Sequence, residues 1–135
     1  MNVIITLPIE LISEIAEGRK KIEVRKTIPT RLNEETDWVY VCCAGKRKVM
    51  LAFRVSKFKK ATDSAGIWAH LGGQIRCSYT WWLEYTKDKR TLFFWYITDV
   101  HVIDRQSDAW LTMVKDKNPQ SFKYTQTTLD ESWFK

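Results

Sequence analysis

Residues 38–58 constrain the fold more than any other stretch of this chain. Trp38-Val39-Tyr40-Val41-Cys42-Cys43-Ala44 is rich in β-branched and aromatic residues, Gly45-Lys46-Arg47 is a short polar turn, and a second long run extends from Val49 to about Phe58. Two such runs across a tight turn predict an antiparallel hairpin. A regular alternation of strand and crossover helix would instead give a parallel, doubly wound sheet, and the hairpin argues against it. No glycine-rich phosphate loop is present, because Gly72-Gly73 lack the required spacing and the lysine.

The remaining elements are short. A strand is expected at 3–6, a helix at 8–17, a strand at 21–27 and a loop at 28–37. Further on come a helix at 62–70 capped by Thr62 or Asp63 and stopped by Gly72-Gly73, a helix at 78–85 capped by Ser78, and a turn at 87–90. Residues 91–103 are the clearest strand, 107–114 is weakly helical and 121–126 closes the chain as a strand. Non-local strands with short helices between them suggest an α+β fold: a mixed, barrel-like sheet with helices over its ends. The 135 residues are expected to form one domain, 1–135.

The junction between the first helix and its following strand is the most chemically loaded segment. Ile9, Ile12, Ile15 and Ala16 share one helical face, Pro8 suits the first turn, and Gly18 is placed for a left-handed C-terminal cap. After the glycine, Ile22 and Val24 alternate with Lys21, Glu23 and Arg25, as on a strand with one buried face. Long charged side chains on a fixed strand are aimed, whereas on a loop they would only be solvated. A guanidinium clamps a phosphate or base edge, a lysine adds a point charge, and Glu23 between them either accepts from an exocyclic amine or orients its neighbours. The plain alternative is a solvated ladder of ion pairs worth roughly 0–1 kcal/mol.

The net charge of +6 is uneven: residues 19–60 hold 13 Lys/Arg against 4 acids, and the rest of the chain is net acidic. Such segregation is the footprint of a polyanion binder. Lys46-Arg47-Lys48 and the Lys57/Lys59/Lys60 cluster offer phosphate contacts, or are merely solvated hairpin tips. Cys42, Cys43 and Cys77 are odd in number with two adjacent, which suits neither a disulfide framework nor zinc, and a reducing cytoplasm is the expected compartment. No apolar run approaches a membrane span and the N-terminus lacks secretory-signal features, so no membrane partner is expected. His70 and His101 lack ligand-like spacing, and no metal or other cofactor is expected. Of the seven tryptophans, Trp38, Trp68, Trp95, Trp110 and Trp133 are expected in the core. Trp81 and Trp82 point about 100° apart on one helix, leaving one of them free to stack on a base.

A helix followed by Gly18-x-Lys20-x-x-Glu23-x-Arg25 and a strand resembles the signature of the ASCH domain, whose fold is like that of the PUA RNA-binding barrel. Val49-Met50-Leu51-Ala52-Phe53-Arg54-Val55 is similar to the family's central barrel strand, and residues 85–103 to its late helix, turn and long strand. Pro119-Gln120-Ser121-Phe122 is similar to a Pro-Gln-Ser-aromatic element near the end of some members. The resemblance implies a pocket beside the barrel that binds RNA or a modified nucleoside, with DNA left open, and with Lys20, Glu23 and Arg25 on its rim. Strict alternation places Lys21 on that face; Lys20 joins it only from a bulge or from the turn after Gly18.

The resemblance also implies an enzymatic alternative. Some small ASCH-like proteins resemble amidohydrolases acting on N4-acylated cytidine through a lysine, a threonine and a glutamate. Here Lys20 takes the lysine position and Glu23 the threonine position, where a carboxylate does not replace a hydroxyl nucleophile. Before the late helix, Gln74, Ile75, Arg76 and Cys77 offer no acid, and Glu84 is the nearest substitute. Nuclease action is a further alternative implied by relatives.

Overall fold

The computed structural model describes residues 1–61, 64–87 and 91–135. The expected cap at Thr62 or Asp63, the side chain of His70 and the turn at 88–90 lie outside the described residues. In chain order the elements are β1 (Asn2–Leu7), α1 (Ile9–Ala16), β2 (Ile22–Arg25), β3 (Val39–Cys43), β4 (Val49–Ala61), α2 (Ser64–Ile75), α3 (Tyr79–Thr86), β5 (Leu92–Val102), α4 (Gln106–Met113), β6 (Phe122–Thr125) and a final 3-10 turn, Glu131–Trp133.

The six strands form one sheet in the order β2-β5-β4-β3-β1-β6. β1 runs parallel to β3, and the other pairs are antiparallel, including the β3–β4 hairpin. Alternation sorts the side chains into two faces. Val3, Ile5, Val39, Val41, Phe53, Val55 and Trp95 share one buried cluster with Ile12 and Ile15 of α1. On the other face, Ile4, Tyr40, Cys42 and Ala52 pack with Trp110 and Met113 of α4, while Ile22, Val24 and Phe94 pack with Ile75 of α2 and Trp82 of α3. The helices thus cover faces of the sheet more than its ends.

Closure of a barrel would need β2 to pair with β6. These strands are instead the two edges of the sheet, so it remains open. Both are only four residues long. A side-chain bond reaches across the seam, from Arg25 Nη1 to the Ser121 carbonyl at 3.4 Å.

Two elements run well beyond the sequence reading for packing reasons, whereas β2 is shorter than the expected 21–27. β4 continues three residues beyond Phe58, its Lys59, Lys60 and Ala61 pairing with Phe94, Phe93 and Leu92. α2 runs through Gly72-Gly73 to Ile75, and the left-handed residue that ends it is Arg76, at φ 59°. Gly72 is small because Trp68 lies over it: a Cβ there would sit 3.1 Å from the indole. Gly18 does adopt the left-handed conformation expected of it, with φ 79°.

Candidate functional site

Lys20 is not at the strand face but in the turn before it. Its amide, like that of Arg19, bonds the Glu14 carbonyl, which turns the side chain inward. The ammonium is buried, donating to the carbonyls of Ile22 and Ile75 at 2.7 Å each and lying 3.3 Å from Glu23 Oε1. Ile75 is the last residue of α2, whose final turn carries no basic residue of its own, so Lys20 supplies a cation to the negative end of that helix. Lys21 serves α2 through its backbone, its amide bonding the Gln74 carbonyl at 2.7 Å. Its exposed side chain lines neither of the two clefts beside Glu23 and Arg25.

Glu23 pairs across the sheet with Trp95 and is buried on the same face. Its Oε2 accepts from Arg25 Nε at 2.8 Å. Burial pushes the Glu23 carboxyl up, but the charges of Lys20 and Arg25 and their hydrogen bonds outweigh it and hold the group below the usual carboxylate range. Arg25 is partly exposed and lies 5.8 Å from the centre of the Trp95 ring.

The two clefts meet beside this pair. The smaller, about 210 Å³, is lined by Glu23 and Arg25 of β2, Thr6 and Leu7 of β1, and Trp81 and Tyr85 of α3. Strands far apart in sheet order share its walls, so it opens at the unclosed seam. The larger, about 610 Å³, runs between α1 and the α2–α3 corner past Glu14, Trp68, Arg76 and Cys77. Pro8, Leu11 and Trp81 belong to both. Trp81 is 45% exposed and stacks on Tyr85, with centroids 4.6 Å apart and planes 13° from parallel. Trp82, the other stacking candidate, is 1% exposed and fills the core beside Trp68. Its place in the α2–α3 cluster removes it from the site. Tyr85 escapes the sequence reading, although its spacing of four residues from Trp81 on a helix is the signal for such a pair.

The cleft walls are not themselves basic. Glu10, Glu14 and Glu23 line them against Arg25 and Arg76. Positive charge flanks them instead, with Lys26 Nζ 5.5 Å from the centre of the Tyr85 ring. The Cys77 thiol is pushed up by burial, with Lys20 opposing and Glu23 adding to the shift, and so stays protonated at neutral pH. Cys42 and Cys43 are buried free thiols, and burial pushes Cys42 up to about 12. Among the described residues, no three His, Cys, Asp or Glu side chains gather closely enough to hold a metal ion.

Glu14 ties the wall of the larger cleft together. Arg19 and Arg76 both bond its Oε2, at 2.8 and 2.9 Å. Hydrogen bonds from Arg19 and then Arg76 hold its carboxyl down at about 2, against an ordinary 4.5. A depressed carboxyl stabilises the fold fully above its unfolded value and loses that contribution as pH falls towards the folded one. Denaturation midpoints of the protein and its Glu14→Gln variant should therefore converge between about pH 4.5 and pH 2. A gap that stayed constant across that window would show that the charge of Glu14 contributes nothing to stability.

Likeness to solved structures shows that the chain has the ASCH-domain fold. No protein-family model matches the sequence, and no curated protein matches it significantly. The structural likeness is broad. The ASCH protein from Zymomonas mobilis superposes with a TM-score of 0.78 at 18% identity, covering 93% of this chain and 87% of that one. A tyrosine-to-phenylalanine variant of the same protein gives 0.78 at 18% identity, covering 93% and 90%. A hypothetical protein, PH0355, gives 0.51 at 17% identity over 70% of this chain and 94% of its own. Among the described residues no helix is long and apolar enough to cross a membrane.

Proposed function

We propose that the protein binds RNA, or a ligand containing a nucleoside, by seating a base in the smaller cleft. The observation that carries this reading is the meeting of the Glu23–Arg25 pair with the exposed Trp81–Tyr85 stack in one concavity. About 210 Å³ is several times the roughly 30 Å³ share of one water, so the cleft takes a ring system but not a duplex. Trp81 offers a π-face to the base. Glu23 retains acceptor capacity beyond its two partners, which suits an exocyclic amine, and Arg25 uses only part of its five-donor fork within the protein. Lys20 acts beneath the surface, fixing the charge and orientation of Glu23.

The ASCH fold of the neighbours supports a nucleic-acid reading at the level of fold. The amidohydrolase alternative asks Lys20 and Glu23 to exchange protons with a substrate. The Lys20 ammonium is already engaged with two carbonyls and a carboxylate, which favours binding over catalysis. Arg25→Ala should weaken binding of single-stranded RNA at least tenfold, and the affinity of the unaltered protein should fall steeply with salt. Fluorescence anisotropy with a labelled oligonucleotide checks both. A curve flat in salt and indifferent to the substitution would refute the reading.

A further inference from the structure

The cleft can hold one base, yet the segment resembling the Pro-Gln-Ser-aromatic element takes no part in holding it. Residues 118–121 are fastened at both ends. Asn118 Nδ2 donates to the carbonyls of Cys43 and Lys46, at 3.1 and 3.0 Å, and its Oδ1 accepts from Trp110 Nε1 at 2.6 Å. The Pro119 carbonyl accepts from Thr6 Oγ1 at 2.7 Å, and the Ser121 carbonyl from Arg25 Nη1. Thr6 and Arg25 line the base cleft. The segment is therefore a strap running from the cleft to the β3–β4 turn. Three residues span at most about 10 Å.

At the far end of the strap the surface is basic. A hollow of about 230 Å³ is lined by Lys46, Arg47, Trp110, Asp116, Lys117 and Asn118, and a neighbouring one of about 360 Å³ reaches Lys123. Asp116 is the one acid lining either hollow, and its Oδ1 is taken by the Lys117 amide at 2.7 Å. Arg19, Arg25, Arg54 and Arg76 each pair with a carboxylate. Among the described residues, no carboxylate lies within ion-pairing distance of Lys46, Arg47 or Lys117, and Arg47 rests only on the Trp110 ring, at 5.5 Å. Besides that amide bond, the charges of Lys123 and Lys117 do act on Asp116 and help hold its carboxyl below the usual range. The cations here nevertheless outnumber that one acid, and such a cluster beside a tight turn is placed for phosphates.

From this geometry we infer that the β3–β4 turn and residues 116–123 form a phosphate track continuous with the base cleft. The ligand is then a single strand of several nucleotides and not a free nucleoside. This rests on the cleft reading and extends it along the strap. The backbone of the strand leaves the base seated against Trp81, follows the strap and meets Lys46, Arg47 and Lys117.

The test compares three proteins against a labelled single-stranded RNA of about 12 nucleotides and its duplex, each across a salt series. They are the unaltered chain, Arg25→Ala, and the triple variant Lys46→Ala, Arg47→Ala, Lys117→Ala. All three substitutions in the triple variant are at exposed positions. The triple variant should bind the single strand at least tenfold more weakly, and its log affinity against log salt should flatten by about 0.7 for each phosphate no longer neutralised, about 2 in all. The duplex should bind the unaltered protein more weakly than the single strand. Binding that needs Arg25 but is unchanged in strength and salt slope by the triple substitution would overturn the track and leave the cleft reading standing. Binding that needs the triple cluster but not Arg25, or that takes the duplex equally well, would overturn the continuous path and the cleft reading with it.

Discussion

Lys20→Met is expected to destabilise the fold by about 3–5 kcal/mol at neutral pH, the cost of breaking a buried ion pair by removing one partner. The side chains of Lys20 and Glu23 are 2% and 5% exposed, so solvent screens the pair little. Methionine keeps most of the volume but leaves the Ile22 and Ile75 carbonyls without their donor and Glu23 with Arg25 alone. It also removes the cation from the end of α2, where that helix has none. Chemical denaturation measures the loss. Adding Glu23→Gln to Lys20→Met should cost less than the two single substitutions summed, because each single change already loses the Lys20–Glu23 interaction, which the double variant loses only once. A loss below about 1 kcal/mol would place Lys20 in the class of exposed ion pairs and contradict its role as the support of Glu23.

That role is not legible in the sequence. The motif names Lys20, but its decisive bonds are to backbone carbonyls, one of them 55 residues away at the end of α2. A carbonyl carries no side-chain signature. The strand alternation points to Lys21, because nothing in Gly18-Arg19-Lys20 shows that the strand begins only at Ile22. By contrast, the hairpin of β3 and β4 is plain, since its turn and its alternating runs are local. Gly18 is plain for the same reason: a left-handed residue after an apolar helical face has few alternatives to glycine.

The features that the sequence misleads on depend on packing between distant elements. Gly72-Gly73 reads as a stop, yet the Trp68 ring needs the space above Gly72 and the helix continues beneath it. The sheet reads as barrel-like, yet β2 and β6 do not pair, and the cleft occupies the seam. The helical offset between Trp81 and Trp82 shows that one of them faces out, and the Ile22, Val24 and Phe94 cluster decides which. The basic third of the chain is visible, but not that its cations flank the cleft and gather near the strap instead of lining the cleft walls.

Trp81→Ala is expected to weaken single-stranded RNA binding by about 5- to 150-fold, since stacking on an aromatic ring contributes about 1–3 kcal/mol per base. The ring is 45% exposed and packs on Tyr85, so its loss should disturb binding far more than folding. The most direct test follows the tryptophan indole N–H signals by NMR while a short single-stranded RNA is added, with the Trp81 signal identified by its absence in Trp81→Phe. The Trp81 resonance should move in step with the binding curve while those of Trp38 and Trp133 hold still. RNA that saturates the protein and leaves the Trp81 signal unmoved would contradict the cleft as the binding site.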